Sequence, residues 1–522
     1  MTSSGSPEDT AGSTGATYPV GPIRVSDRLG AIDTCRGLAL LGIFMVNITI
    51  FSGPIGDMLK ALPPAPTEGI TEHIAHYFTA IFFSGKFYPL FSLLFGAGLI
   101  LQMSSVERRG GRFVPLYLRR LVVLAVIGLS HAIVLWYGDI LFIYAFAGLA
   151  MLLLRKLRPS TLFILAGVLF GLITVVTLGA AAIGAMVGAA PASTSVSEQA
   201  PDVPVGTREQ ALTADGHDAS VVNPAAPADS DGDVAATDGK SEAGEPYPGG
   251  PADTAAKEEG DSSRKDVPDE DARPYEVFLK SMESRSDRVQ GPWDDRWKEA
   301  ERDVYRHGGF VPALVVRSIT WASMIIFCLF GFGWHVLMMF MIGAALIKVD
   351  FFSPSRERWH VRLAWLGLLV GVPLSVVSAA ATVLFDPGFA RAFLQGWGVM
   401  AGGPLMALMY VSLLTLAVNR GYFPAATGAV ANVGRMALTN YLMQSVIATF
   451  IFYWYGLGLF DQVSRVACVS MVLGIYLVQV LFSNVWMSFF LYGPMEWLWR
   501  LLTYLRVPSL FRTASSDRAV GP

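Results

Sequence analysis

Apolar and polar positions alternate along this chain on the scale of whole helices. Ten apolar stretches, at 33–52, 86–103, 118–137, 139–154, 160–189, 318–346, 362–385, 396–418, 435–455 and 465–490, approach or exceed the roughly 20 residues that a helix needs to cross a bilayer. The pattern predicts an all-α, polytopic integral membrane protein with about ten transmembrane helices. Near the midpoints of several stretches stand residues that hydrocarbon excludes: Asn47, His131, His335, Gln444 and Gln479. A polar group at that depth needs a partner on another helix or a water-filled cavity, so these side chains are expected to point inward to a shared polar interior.

Between 191 and 272 the pattern stops. The stretch is rich in Ala, Pro, Asp, Gly, Ser and Glu and nearly free of large apolar residues, as expected of a disordered linker. The chain thus divides into a polar tail at 1–30, a membrane block at 31–190, the linker at 191–272, interfacial amphipathic helices at 273–310, a second membrane block at 311–492, an interfacial helix at 493–510 and a tail at 511–522. Trp293, Trp297, Ala300 and Val304 recur at helical spacing among charged residues, which predicts a helix lying at the outer interface. Met495, Trp497, Leu498, Leu501, Leu502 and Tyr504 form the corresponding segment at the inner one.

Composition supports a membrane protein, with 53% hydrophobic and only 16% charged residues. Charge adds the orientation. Residues 191–270 hold 18 Asp/Glu against 5 Lys/Arg, so a formal net charge of -3 conceals a basic remainder. Arg24, Arg28 and Arg36 precede the first stretch, Arg108 to Arg120 follow the second, and Arg155, Lys348, Arg420 and Arg500 head clusters after the fourth, sixth, eighth and tenth. Every cluster falls on one side, which predicts cytoplasmic termini and an extracytoplasmic linker in a cytoplasmic membrane. Residues 1–30 lack the apolar core of a secretory signal, and Cys35, Cys328 and Cys468 show no metal or redox spacing.

Depth can be measured along each helix. Asn47 lies about 17 Å beyond Arg36, and His131 about 17 Å beyond Arg120, so the two are expected at similar depth. A histidine there can serve as a general base, with Asp139 at the outer mouth of the same hairpin, or can simply bond a neighbouring helix. Asp33 and Arg36, one turn apart, form either a local ion pair or, with Arg119 and Arg120, a basic wall for phosphates. Asn440 with Gln444, and Gln479 with Ser483, can line a cavity or join helices. Ser84, Gly85 and Lys86 interrupt an apolar run, and interrupted helices commonly line cavities, placing Lys86 near the outer end of one. Glu72, His73 and His76 have a spacing compatible with zinc, but a helical His pair beside an acid is common by chance and no metal is expected. Gly96 and Gly98 suit close helix packing. No phosphate-binding glycine loop, serine-nucleophile elbow or zinc-protease signature occurs, and no nucleic-acid partner is expected.

Five segments carry a family resemblance: RLGAIDTCRGLALLGIFMVN at 28–47, GKFYPLFSLLFGAG at 85–98, His131 with GDILFIYAFAG at 138–148, GRMALTNYLMQS at 434–445 and YGPMEWLWRLLTY at 492–504. Together they resemble the YeiB-like family of bacterial membrane proteins, a family of unknown function. That family is similar to the ten-span membrane acyltransferases, which pass an acyl group from a cytoplasmic thioester to an acceptor on the far side. The resemblance implies acyl-coenzyme A as co-substrate, an envelope glycan, lipid or small molecule as acceptor, and the bilayer as surroundings. Related acyltransferases place a catalytic histidine late in the first span, where this chain has Asn47, so His131 becomes the expected base. Asn47 would then orient it or polarise the acyl carbonyl, and Asp139 would steer the acceptor. Asp33, Arg36, Arg119 and Arg120 would hold the cofactor, and Lys86, Asn440, Gln444, Gln479, Glu496 and Arg500 would line the cavity. A transporter of a small metabolite or ion, and a nonenzymatic envelope sensor or scaffold, are the alternatives.

Overall fold

A computed structural model describes residues 30–59, 69–188, 276, 295–386 and 388–512. The expected linker, most of both expected tails and Trp293 lie outside these residues. Described elements are helical throughout apart from one isolated antiparallel bridge, Phe490 with Phe511. In chain order they are α1 Gly30–Phe51, α2 Ile55–Leu59, α3 Ile70–Phe82, α4 Phe87–Arg108, α5 Phe113–Ser130, α6 Leu141–Leu154 and α7 Pro159–Gly188. Then follow α8 Asp295–His307, α9 Phe310–Phe327, α10 Gly333–Lys348, α11 Glu357–Leu366, α12 Val372–Leu384, α13 Phe389–Trp397, α14 Gly403–Asn419, α15 Pro424–Arg435, α16 Ala437–Phe452, α17 Arg465–Phe489 and α18 Pro494–Tyr504.

Among the described residues, seven helical segments are long and apolar enough to cross a bilayer. Four shorter apolar helices, α6, α9, α10 and α16, accompany them. The chain is therefore an all-α polytopic membrane protein. The single stretch expected at 318–346 instead begins at Phe310 and is broken by a π-helical turn, Cys328–Phe332. The interruption at Ser84 to Lys86 is real: α3 ends at Phe82, Gly85 adopts a φ of 79°, and α4 starts afresh.

Close helix approach builds the core. A β-carbon on Gly96 of α4 would lie 2.2 Å from the Phe340 carbonyl oxygen, and one on Gly343 of α10 would lie 1.8 Å from that of Leu93, so the crossing demands glycine on both sides. Gly37 and Gly434 play the same part between α1 and α15. Around these crossings Leu40, Leu90, Leu93, Met339, Phe340 and Val411 are almost fully buried. The outward faces of α5, α7 and α17 carry exposed Val122, Val126, Ile164, Val168, Leu477 and Leu481, as lipid contact requires.

The amphipathic helix packs its apolar face on the bundle. Trp297, Ala300, Val304 and Tyr305 of α8 are buried in a second core with Phe44, Ile48, Phe51, Trp136 and Phe452, so α8 caps the end of the bundle opposite the arginine clusters. Its polar side is tied down by Lys298 to Asp57 at 2.5 Å and Arg302 to Asp461 at 2.6 Å. On the apolar side lies a carboxyl group. Glu301 is fully buried, accepts the backbone N–H of Ile55 at 3.1 Å and leaves its second oxygen without a hydrogen bond.

Burial, opposed by the Ile55 bond, pushes the Glu301 carboxyl up to about 8 from an ordinary value of 4.5. The folded state therefore binds this proton more tightly than the unfolded chain. Its stabilising contribution is complete below about 4.5 and is lost as pH rises through about 8. Thermal unfolding in detergent should show Tm falling between pH 6 and pH 9 on the order of several degrees, and Glu301→Gln should flatten that dependence. An equally steep profile in the variant would assign the pH effect elsewhere.

Candidate functional site

The far end of α5 is shaped around a histidine. After Ser130 the helix widens into one π-helical turn, His131–Leu135, in which the Trp136 N–H donates to the His131 carbonyl at 2.9 Å. Such turns interrupt regular helix at a cost and gather at functional positions. The chain then runs extended through Trp136 and returns to Asp139, just ahead of α6. One Asp139 carboxylate oxygen accepts the Phe142 N–H at 2.8 Å, satisfying a donor at the start of α6. The other lies 3.1 Å from His131 Nδ1. His131 Nε2 lies 2.9 Å from the Ser445 hydroxyl on α16. Asp139, His131 and Ser445 form one buried line of hydrogen bonds.

Two neighbours keep that line in place. Gly128 leaves room for Asp139: a β-carbon there would sit 2.7 Å from Asp139 Oδ2 and 2.6 Å from the Phe142 nitrogen. Arg317 of α9, almost completely buried, bonds the carbonyls of Val134 and Leu135, which the π-turn leaves without helical donors. Neither Ser445 nor Arg317 stood out in the sequence. Ser445 closes the segment GRMALTNYLMQS at 434–445, one turn from Tyr441, and that place in the motif was its cue.

The other midplane groups do not join His131. Gln444 donates to Gln479 at 2.9 Å, Gln479 donates to the Asn440 carbonyl at 2.9 Å, and Asn440 donates to Ser483 at 3.0 Å. This ladder zips α16 to α17 and does not line the cavity. His335 is held between the Tyr88 hydroxyl at 3.1 Å and the Met400 carbonyl at 3.2 Å. Lys86 donates to the Ala80 carbonyl at 2.8 Å, capping the broken end of α3, and is likewise outside the cavity. Asn47 is half-buried and has no hydrogen bond to His131, whose two ring nitrogens are already engaged. Asp139 has both oxygens engaged within the protein, so its position suits orienting His131 rather than steering an acceptor. Glu72 caps α17 through the Arg465 and Val466 N–H groups, and no metal-binding group occurs among the described residues.

What does gather is the basic end. A cavity of about 210 Å³ is lined by Asp33, Arg36, Arg120, Arg435, Glu496 and Arg500, with Phe91, Phe95, Tyr117 and Trp499 among its aromatic walls. Arg36 pairs with Asp33 at 3.1 Å, and Gly98 leaves space for its guanidinium. Arg120 lies 3.8 Å over the Trp499 ring, and Arg500 lies 4.1 Å over that of Tyr492. Glu496 reaches back to the start of α16, accepting the Leu438 and Thr439 N–H groups at 2.6 and 3.1 Å and the Thr439 hydroxyl at 2.6 Å. Arg119, expected beside Arg120, is exposed and outside the cavity. The Tyr117 hydroxyl is buried in the wall without a hydrogen bond. At the opposite end the wall is Ile140, Leu141, Tyr144 and Tyr441, and the Tyr441 ring lies 5.1 Å from that of His131. His131 itself does not line the cavity, but the Tyr441 ring that does lies against it.

Comparison with known proteins finds relatives over most of the chain. Residues 346–506 match a family model described as protein of unknown function (DUF418). The uncharacterized protein YxaH of Bacillus subtilis is 29% identical over 491 residues, covering 93% of this chain and 96% of that protein. The uncharacterized protein YeiB of Escherichia coli is 28% identical over 490 residues, covering 91% and 96%. The chain is similar to YeiB-like proteins over nearly its whole length and carries a DUF418 match in its C-terminal part. The matched DUF418 region contains Arg435, Tyr441, Ser445, Glu496 and Arg500, while Arg36, Arg120, His131 and Asp139 precede it. Similarity to the two full-length relatives spans both halves of the site. No solved structure matches.

Gly128 gives a direct check of this geometry. Gly128→Ala should displace Asp139 and destabilise the protein by about 1–3 kcal/mol, as overpacked sites do. Gly167→Ala, on open helix surface with nothing within 4 Å, should be neutral or slightly stabilising. Equal melting temperatures for the two variants would contradict the packing described here.

Proposed function

We propose that this protein is a membrane acyltransferase that takes an acyl group from coenzyme A at its cytoplasmic face and delivers it to a glycan, lipid or small-molecule acceptor. The observation that carries the reading is the cavity: four arginines at one end, and at the other a single ring, Tyr441, standing between it and His131. Guanidinium groups recognise phosphates in pairs of parallel hydrogen bonds. Arg36, Arg120, Arg435 and Arg500 outnumber Asp33 and Glu496 in the lining, so the site favours an anion. Phe91, Phe95, Leu40 and Leu99 give it an apolar floor suited to an acyl or pantetheine arm. In this reading the arm lies in the cavity and the nucleotide at its basic end. The positive-inside rule turns this mouth to the cytoplasm.

In this reading His131 is the base, with Asp139 holding its Nδ1. A transporter is the second reading. It draws on the cap of α8 over the opposite end, since a cavity at one end and a closed cap at the other describe one state of an alternating-access cycle.

Titration of purified full-length protein with coenzyme A and a long-chain acyl-coenzyme A decides between them. Saturable binding of both is expected, weakened tenfold or more by Arg36→Ala or Arg120→Ala and reduced by salt. His131→Gln should retain binding. Absence of saturable binding would overturn the acyltransferase reading, and counterflow of a solute into proteoliposomes would then establish transport.

A further inference from the structure

The line of hydrogen bonds at His131 ends on a hydroxyl. We propose that Ser445 is a nucleophile that carries the acyl group as an ester between donor and acceptor. The proposal rests on the acyl-transfer reading for its donor, and adds a covalent intermediate that nothing in that reading requires.

Geometry supports it first. A hydroxyl on a histidine nitrogen, with the other nitrogen on a carboxylate, is the arrangement that activates serine at neutral pH, and it is recognised by roles rather than by chain order. Here Ser445 Oγ is 2.9 Å from His131 Nε2, and Asp139 Oδ1 is 3.1 Å from Nδ1. The remaining Asp139 oxygen is occupied by the Phe142 N–H, which leaves its partner aimed at the imidazole. With Nδ1 donating to the carboxylate, Nε2 is the acceptor that Ser445 needs. Another acceptor, the Tyr441 carbonyl one turn back, lies farther away at 3.4 Å.

Placement supports it next. Ser445 and Tyr441 are four residues apart on α16, about 6 Å along the axis, so they share a face. Tyr441 is in the cavity wall, and Ser445 lies behind it, away from the basic mouth. Rotation of the Tyr441 ring therefore joins the cavity to the Ser445 hydroxyl. Trp136 and the core beneath α8 close the far side, so water is excluded from an ester formed there.

The chemistry balances without another reagent. Ser445 gives its proton to His131 Nε2 as its oxygen bonds to the thioester carbonyl carbon. The carbon–sulfur bond breaks, and His131 returns the proton to the departing thiolate. In the second half, the acceptor hydroxyl or amine loses its proton to His131 and bonds to the ester carbon. The Ser445 oxygen leaves and takes the proton back.

The test uses full-length protein in nanodiscs, a long-chain acyl-coenzyme A and no acceptor, with rapid quenching and mass spectrometry of the α16 peptide. An acyl adduct on Ser445 is expected, absent in Ser445→Ala and formed at least a hundredfold more slowly in His131→Gln. Ser445→Cys keeps the nucleophile and should carry a thioester that neutral hydroxylamine cleaves. Thioester that binds but leaves no adduct on Ser445, or, once an acceptor is added, acyl transfer at the wild-type rate in Ser445→Ala, would overturn the covalent step while leaving the cavity as a donor site. Failure to bind the thioester would overturn both.

Discussion

A polar side chain inside hydrocarbon must complete its hydrogen bonds within the protein, and satisfying His131 organises much of this fold. Its two ring nitrogens need partners from different directions. One comes from Asp139, which requires α5 to widen into a π-turn and the chain to double back before α6. The other comes from Ser445, which sets the rotation of α16 against α5. The carbonyls left over by the π-turn are met by Arg317, which places α9. Four helices are positioned by the demands of a single imidazole and of the turn that presents it.

The two ends of the bundle are built on opposite principles. At the basic end, arginines are spread over aromatic rings and paired with Asp33, leaving a cavity between α1, α4, α5, α6, α15, α16 and α18. At the other end α8 fills the hollow with Trp297, Val304 and Tyr305, and seals a carboxyl group beneath it. Glycines at the α4–α10 and α1–α15 crossings allow backbones to touch, so the bundle is tight where ligand has no place. The cavity reaches inward only as far as Tyr441. A basic chamber, an aromatic partition and a buried hydroxyl–imidazole–carboxylate line thus follow one another from the charged end toward the cap.

Much of the architecture was legible in the sequence, because hydropathy and charge act on whole segments. The apolar stretches mark helices, and Arg36, Arg120 and Arg500 line one cavity with Asp33 and Glu496. A fixed rise per residue converts spacing into an expected height. Direction around the axis is not legible that way. Asn440, Gln444 and Gln479 have suitable depth but face one another across α16 and α17, and Lys86 turns to the end of α3. Ser445 was hidden by its ordinariness, as a serine in an apolar helix normally bonds its own turn. Glu301 gave no signal because its helix reads as amphipathic, and only tertiary packing puts it on the dry side.

The central claim is that one aromatic ring separates a donor chamber from the His131 line. The most direct measurement is an electron cryo-microscopy structure of the full-length protein in nanodiscs with a nonhydrolysable acyl-coenzyme A analogue. The account predicts phosphates against Arg36 and Arg120, the arm running between Phe91 and Trp499, and the Tyr441 ring turned aside where the carbonyl approaches Ser445. Analogue bound elsewhere, with the cavity empty and Tyr441 still packed on His131 at saturating ligand, would contradict it.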